Sequence, residues 1–200
     1  MREILKLGQD DTLLLKSGNQ ETPVTFFEPG RAILCLDCSG SMEPVIEDAK
    51  KSAITFAEDA RSRGYATGLV TFADDAKLIV RPDDSILLSD YISHVVTEIH
   101  TKMDKGLRLA AGTILTYPKG EKVIVVITDG HPDDADATTV WADKAKARGI
   151  RLLTIGIGTH ADLVFLKKLA SHEDFAQSVS VAALESAFHK AMQLLPPAGR

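Results

Sequence analysis

Hydrophobic positions in the first 29 residues follow no sustained period. Thr12-Leu13-Leu14-Leu15 and Val24-Thr25-Phe26-Phe27 flank the turn signal Ser17-Gly18-Asn19, which predicts a hairpin-like extension. From residue 30 the pattern becomes regular. A continuous apolar strand at 31–37 precedes a helix in which Val45, Ala49, Ala53, Phe56, Ala57 and Ala60 recur every three or four residues. Residues 68–72 and 77–81 read as two strands joined by Ala73-Asp74-Asp75-Ala76, and Lys77, Arg81 and Pro82 suit an edge strand. A helix is predicted over about 85–99, with Ile86, Tyr91, Val95 and Ile99 as its stripe, and a shorter one over about 103–112. Lys122-Val123-Ile124-Val125-Val126-Ile127 is apolar on both faces, as in a parallel strand covered on both sides. Helix 133–148, strand 150–157, helix 161–171, a short strand at 175–179 and helix 181–195, stopped by Pro196-Pro197, complete the chain.

Strands alternating with helices predict an α/β fold. The expected architecture is a doubly wound, mostly parallel six-stranded sheet with one antiparallel edge strand and helices on both faces. The domain reading is an N-terminal extension over 1–29, one domain over 30–196 and a tail over 197–200.

Composition fits one ordinary globular domain: 44% hydrophobic and 26% charged residues in a chain of 200. A net charge of −5 without a long basic run gives no electrostatic footprint for nucleic acid. No apolar stretch approaches the roughly 20 residues of a membrane span, and the first residues lack a signal-peptide core. The expectation is a cytoplasmic protein with neither a nucleic-acid nor a membrane partner. Cys35 and Cys38, the only cysteines, have C-x-x-C spacing. One of them lies inside a strand, however, and no second pair completes a zinc site, so they read as small buried hydrophobes.

Candidate chemistry gathers where two strands end. The first ends Asp37-Cys38-Ser39-Gly40-Ser41 and the other Thr128-Asp129-Gly130. In a doubly wound sheet, ligands bind beyond the carboxyl ends of the strands, near the point where strand order reverses. Two carboxylates there repel unless a cation or a proton lies between them. Oxygen-only ligation suits a hard divalent ion: Mg²⁺ first, with Mn²⁺ or Ca²⁺ as alternatives.

In these motifs the sequence resembles the von Willebrand factor A domains, whose metal-ion-dependent adhesion site carries Asp-x-Ser-x-Ser after the first strand. Asp37, Ser39 and Ser41 match that motif, Thr101 matches the threonine that opens a short helix, and Asp129 matches the aspartate of a Thr-Asp-Gly turn. The resemblance covers about residues 30 to 195. It implies direct metal contacts from Ser39, Ser41 and Thr101, with Asp37 and Asp129 holding waters. Hydroxyl ligands leave the charge of the ion incompletely neutralised. The implied function is therefore metal-dependent binding of a glutamate or aspartate on a partner protein, in an intracellular assembly or scaffold, with an ATPase-associated complex as one setting. In some members the terminal helix, here 181–195, rearranges on ligand binding. His100 stands where the family usually has glycine, and His100, Lys102 and His131 form an expected rim around the ion.

Other readings stay open at this point. The same edge could hold Mg²⁺ for phosphoryl transfer, with Asp37 as nucleophile and Lys102 or Lys105 as a clamp. Alternatively, the domain could be an interaction module whose metal site does no work. Gly156-Ile157-Gly158-Thr159-His160-Ala161 fits G-x-G-x-x-A, but no acid follows the next strand as a dinucleotide site requires. Asp133, Asp134 and Asp136 complement the start of helix 133–148, and Val140 and Trp141 read as packing residues on it. His94, His172 and His189 lack metal-ligand spacing.

Overall fold

The computed structural model describes residues 3–7, 12–17, 20–25, 28–82, 87–196 and 198. Three N-terminal strands, β1 (Glu3–Leu7), β2 (Thr12–Ser17) and β3 (Gln20–Thr25), form an antiparallel sheet in the order β1-β2-β3. The remaining elements are β4 (Gly30–Asp37), α1 (Ile46–Ser62), β5 (Tyr65–Phe72), β6 (Ala76–Val80), α2 (Ser89–Ile92), α3 (Met103–Ile114), β7 (Lys122–Thr128), α4 (Ala135–Ala147), β8 (Arg151–Ile157), α5 (Leu163–Leu169), β9 (Ala176–Val179) and α6 (Leu184–Gln193). Residues 197, 199 and 200 of the expected tail lie outside the described residues.

The second sheet has the order β6-β5-β4-β7-β8-β9. Every pairing in it is parallel except β5 with β6, so β6 is the antiparallel edge that its lysine and flanking proline suggest. The chain leaves β4 toward β5 and β6, then crosses back to β7 on the other side of β4. That reversal puts the topological switch point between β4 and β7.

Alternate residues of the central strands feed two cores. Ala32, Leu34, Leu36, Val123, Val125 and Ile127 pack toward α1 and α6, where the Phe56 and Phe188 rings meet at 5.6 Å and 60°. Ile33, Cys35, Ile124 and Val126 pack toward α3 and α4. Burial on both faces is what the unbroken apolar runs of β4 and β7 require. Close approach of α3 to the sheet depends on Gly106, where a Cβ would stand 2.7 Å from the Phe72 ring. Among the described residues no helix is long and apolar enough to cross a membrane.

One expected element is absent. Instead of a helix over about 85–99, only α2 forms, and the chain then turns and runs extended past Val95 to a bridge between Glu98 and Ser39. Tyr91, Val96 and Ile99 are exposed while Val95 is buried, so the spacing describes no helical face; Ile86 lies outside the described residues. Tertiary bonds outcompete helix formation here: the Glu98 N–H donates to Cys38 O at 2.7 Å, and Glu98 pairs with Lys77. Val140 also departs from its reading as a packing residue, because it is exposed.

Candidate metal centre

The parallel register pairs Leu36 with Ile127, so Asp37 and Thr128 finish as neighbours at the switch point. Both are fully buried. The Thr128 hydroxyl donates to Asp37 Oδ2 at 2.6 Å, and the Ser39 N–H donates to Asp37 Oδ1 at 2.8 Å. Thr128 Oγ1 also accepts from the Gly130 N–H at 3.2 Å, which bends the chain so that Asp129 turns outward. The oxygens continue from there. Ser39 Oγ and Ser41 Oγ lie 3.1 Å apart, and Ser41 Oγ donates to Asp129 Oδ1 at 2.9 Å. Asp37, Ser39, Ser41 and Asp129 thus form one oxygen cluster from a buried end at Asp37 to an exposed end at Ser41.

Thr101 reaches this edge by a different route. Asp74 Oδ1 accepts the N–H groups of Ile99 and His100 at 3.1 and 2.8 Å, and the Lys102 N–H donates to Ala73 O at 2.9 Å. From the opposite side, the Asp133 N–H donates to Thr101 O at 3.1 Å, while its carboxylate takes Lys102 Nζ at 3.1 Å and faces His100 Nδ1 at 3.7 Å. Asp74 and Asp133 clamp the loop that presents Thr101. The Thr101 hydroxyl itself is outside the Ser39–Ser41–Asp129 hydrogen-bond chain.

Electrostatics sharpen the picture. Burial pushes the Asp37 carboxyl up to about 6 against the bonds from Thr128 and Ser39, and the Asp129 charge adds to the rise. The N–H of His100 holds Asp74 below the usual carboxylate range, and Lys102 does the same for Asp133. No lysine or arginine hydrogen-bonds Asp37 or Asp129 among the described residues. A buried carboxylate beside a second one, fronted by hydroxyls and lacking a cationic partner, is a donor set suited to a divalent cation. Among the described residues no group of three or more His, Cys, Asp or Glu is placed to hold a metal, so any ion here depends on the hydroxyls.

The expected rim residues are engaged by acids. His100 and Lys102 face Asp133, and His131 Nε2 lies 3.5 Å from Asp162 Oδ2 with its ring tilted over Phe165. Cys35 and Cys38 are free and buried; burial pushes both thiols up, Cys38 to about 12, which removes thiolate chemistry at neutral pH. The glycine motif that begins within the end of β8 is a packing device, since a Cβ on Gly156 would sit 2.5 Å from that of Ala161.

The model of the von Willebrand factor type A domain matches residues 33–193. The chain belongs to this family. Matrilin-1 of Bos taurus is 34% identical to this von Willebrand factor A domain over 173 residues, covering 76% of this chain and 31% of matrilin-1. The chain spans less than a third of the length of the curated relatives it matches. Proximal thread matrix protein 1 from the mussel byssus, solved with a zinc-occupied metal-ion-dependent adhesion motif, superposes with a TM-score of 0.72 at 18% identity, over 82% of this chain and 47% of that one. The open form of the pilus adhesin SpaC from Lactobacillus rhamnosus GG gives 0.74 at 15% identity, over 91% and 31%. At these identities the two structures establish the shared fold.

Sequence reasoning missed Thr128, Asp74 and Asp133 as parts of the site. Thr128 had a usable signal, because a polar residue at the end of a buried parallel strand must find a partner on the neighbouring strand. Asp74 acts on backbone N–H groups distant in sequence, and Asp133 on the Thr101 carbonyl and the Lys102 ammonium, so nothing local announces either.

Proposed function

We propose that this domain binds an acidic residue of a partner protein through a divalent cation held at the switch point by Ser39, Ser41 and Thr101, with Asp37 and Asp129 behind them. The observation that carries this reading is the oxygen cluster running from buried Asp37 through Ser39 and Ser41 to Asp129, with no lysine or arginine bonded to its carboxylates among the described residues. A bound cation supplies a Lewis-acidic position that accepts a carboxylate oxygen. Mg²⁺ is the proposed ion on the hardness of the donors; the zinc in the mussel protein makes Zn²⁺ a competitor to be measured.

The residues themselves favour binding over catalysis. Asp37 is fully buried and each of its oxygens accepts a hydrogen bond, which disfavours its attack on a substrate as a nucleophile. Lys102 is held by Asp133, and Lys105 lies 3.2 Å from Asp75 Oδ1, which leaves neither as a phosphate clamp. Exposed apolar side chains flank the site instead. Val96 and Ile99 lie on the loop that leads to Thr101, and Leu163 and Val164 open α5 beyond β8. Apolar surface around a polar centre suits a protein partner. An assembly or scaffold role is proposed on the same footing.

Affinity capture of an acid-bearing partner from native extract, with Mg²⁺ or with chelator, tests the proposal. Retention should require the metal and disappear in a Ser39→Ala, Ser41→Ala double variant. Undiminished capture under chelation and in that variant rejects it.

A further inference from the structure

A second feature lies away from the switch point. Helices α3 and α4 pack side by side on one face of the sheet and leave an open groove of about 530 Å³. Buried Ala111 and Ala145 form its floor, and Leu115 and half-buried Trp141 its walls. Arg108, Lys144 and Arg148 stand around the rim, and no carboxylate lines the groove. Lys144 Nζ lies 4.4 Å from the centre of the Trp141 ring. Among the described residues none of the three cations has a carboxylate within 4.0 Å: nearby Asp143 is taken by Lys146, and Asp75, whose charge Arg108 feels at longer range, is paired with Lys105. In a chain of net charge −5, this groove is a local excess of positive charge.

The fold explains part of this arrangement. Lys144 and Arg148 lie at the carboxyl end of α4, where cations complement the helix dipole. Arg108, in the middle of α3, has no such reason. Neither does Gly112 in the last turn of α3. A Cβ there would meet nothing within 4 Å, so packing does not require glycine and the helix is weaker for having it. The missing side chain keeps the groove open.

We infer that this groove docks an acidic amphipathic helix of a partner protein. Its apolar side chains lie over Leu115 and Trp141. Its carboxylates meet Lys144 and Arg148, which are spaced one helical turn apart, and Arg108 on the opposite wall. A half-buried tryptophan in a groove rimmed by arginines has the composition of an interface hot spot. Single-stranded nucleic acid, the rival for a cationic groove, would need successive aromatic platforms, and this groove has one aromatic ring. The inference is independent of the metal site.

Trp141 is the only tryptophan in the chain, so its emission reads the groove directly. The test titrates the full chain with a synthetic helical peptide that places glutamates four residues apart beside a leucine stripe. Matched arms use the same peptide with lysine for glutamate and an oligothymidylate. The glutamate peptide should give a saturable blue shift, unchanged by chelator, and the lysine peptide none. Arg108→Glu with Arg148→Glu should weaken binding at least tenfold, as should Gly112→Leu, which fills the groove; Gly112→Ala should raise the melting temperature. Absence of a saturable shift, an equal response to the lysine peptide, preferential binding of the oligothymidylate, or unchanged affinity in the arginine double variant overturns the inference. The arginine side chains are exposed, so that variant decides the matter even if Gly112→Leu fails to fold.

Discussion

Thr128 Oγ1 and Asp37 Oδ2 lie 2.6 Å apart, joining the ends of two adjacent parallel strands by one buried hydrogen bond. The bond fixes the carboxylate on which the rest of the cluster is built. Thr128→Val keeps the shape and removes the donor, leaving a buried carboxylate oxygen unsatisfied. The expected cost is about 1–3 kcal/mol of stability in urea denaturation, with metal affinity reduced roughly tenfold. Thr128→Ser should restore most of both. A metal affinity unchanged in Thr128→Val would show that the bond does not position the site.

Asp37 also sets a pH dependence. Its carboxyl is raised from the ordinary 3.8 to about 6 in the folded protein, so folding favours the protonated form. The associated stability is fully present below pH 3.8 and is lost as pH rises through about 6, an amount on the order of 3 kcal/mol. Without metal, the stability of the wild type relative to Asp37→Asn should therefore fall between pH 4 and 7. Saturating Mg²⁺ should stabilise the wild type more at pH 7 than at pH 5, because a cation favours the ionised carboxylate. Parallel stability profiles of the two proteins, with or without metal, would contradict this.

Asp74 holds the Thr101 loop through the N–H groups of Ile99 and His100. Its carboxylate is exposed, so Asp74→Ala should cost little stability. The loop should loosen all the same. Hydrogen exchange at residues 99–102 should accelerate severalfold, and metal affinity should drop in step. Faster exchange without any change in metal binding would remove Thr101 from the ligand set.

Gly106 lets α3 approach Phe72. Gly106→Ala places a methyl group 2.7 Å from that ring and should destabilise the domain by roughly 1–3 kcal/mol, despite the better helix propensity of alanine. Thermal melting checks the sign. A raised melting temperature would mean that the helix shifts freely and that the approach of α3 is not constrained.

Much of the fold was legible because burial on both faces leaves long apolar runs, and β4 and β7 show them plainly. The Asp-x-Ser-x-Ser and Thr-Asp-Gly turns could be read because their residues act close together in sequence. Residues 93–99 could not be read. Tyr91, Val95 and Ile99 carry a helical spacing, yet the backbone there is captured by Cys38 and Asp74 and the Glu98 carboxylate by Lys77, contacts made only after β4, β5 and β6 have assembled. Asp133 misled in the same way. It looks like a helix-start acid, but Asp134 takes the cap by accepting from the Ala137 N–H, which leaves Asp133 to reach back to Lys102.

Direct metal titration tests the central claim most closely. Mn²⁺ binding followed by electron paramagnetic resonance at pH 7 should show one saturable site in the wild type, displaced by Mg²⁺. The site should be weakened at least tenfold in Ser39→Ala, Ser41→Ala and Asp129→Ala, and unaffected in Arg108→Glu. Equal Mn²⁺ binding by the wild type and the three site variants, or none by any of them, would contradict the account.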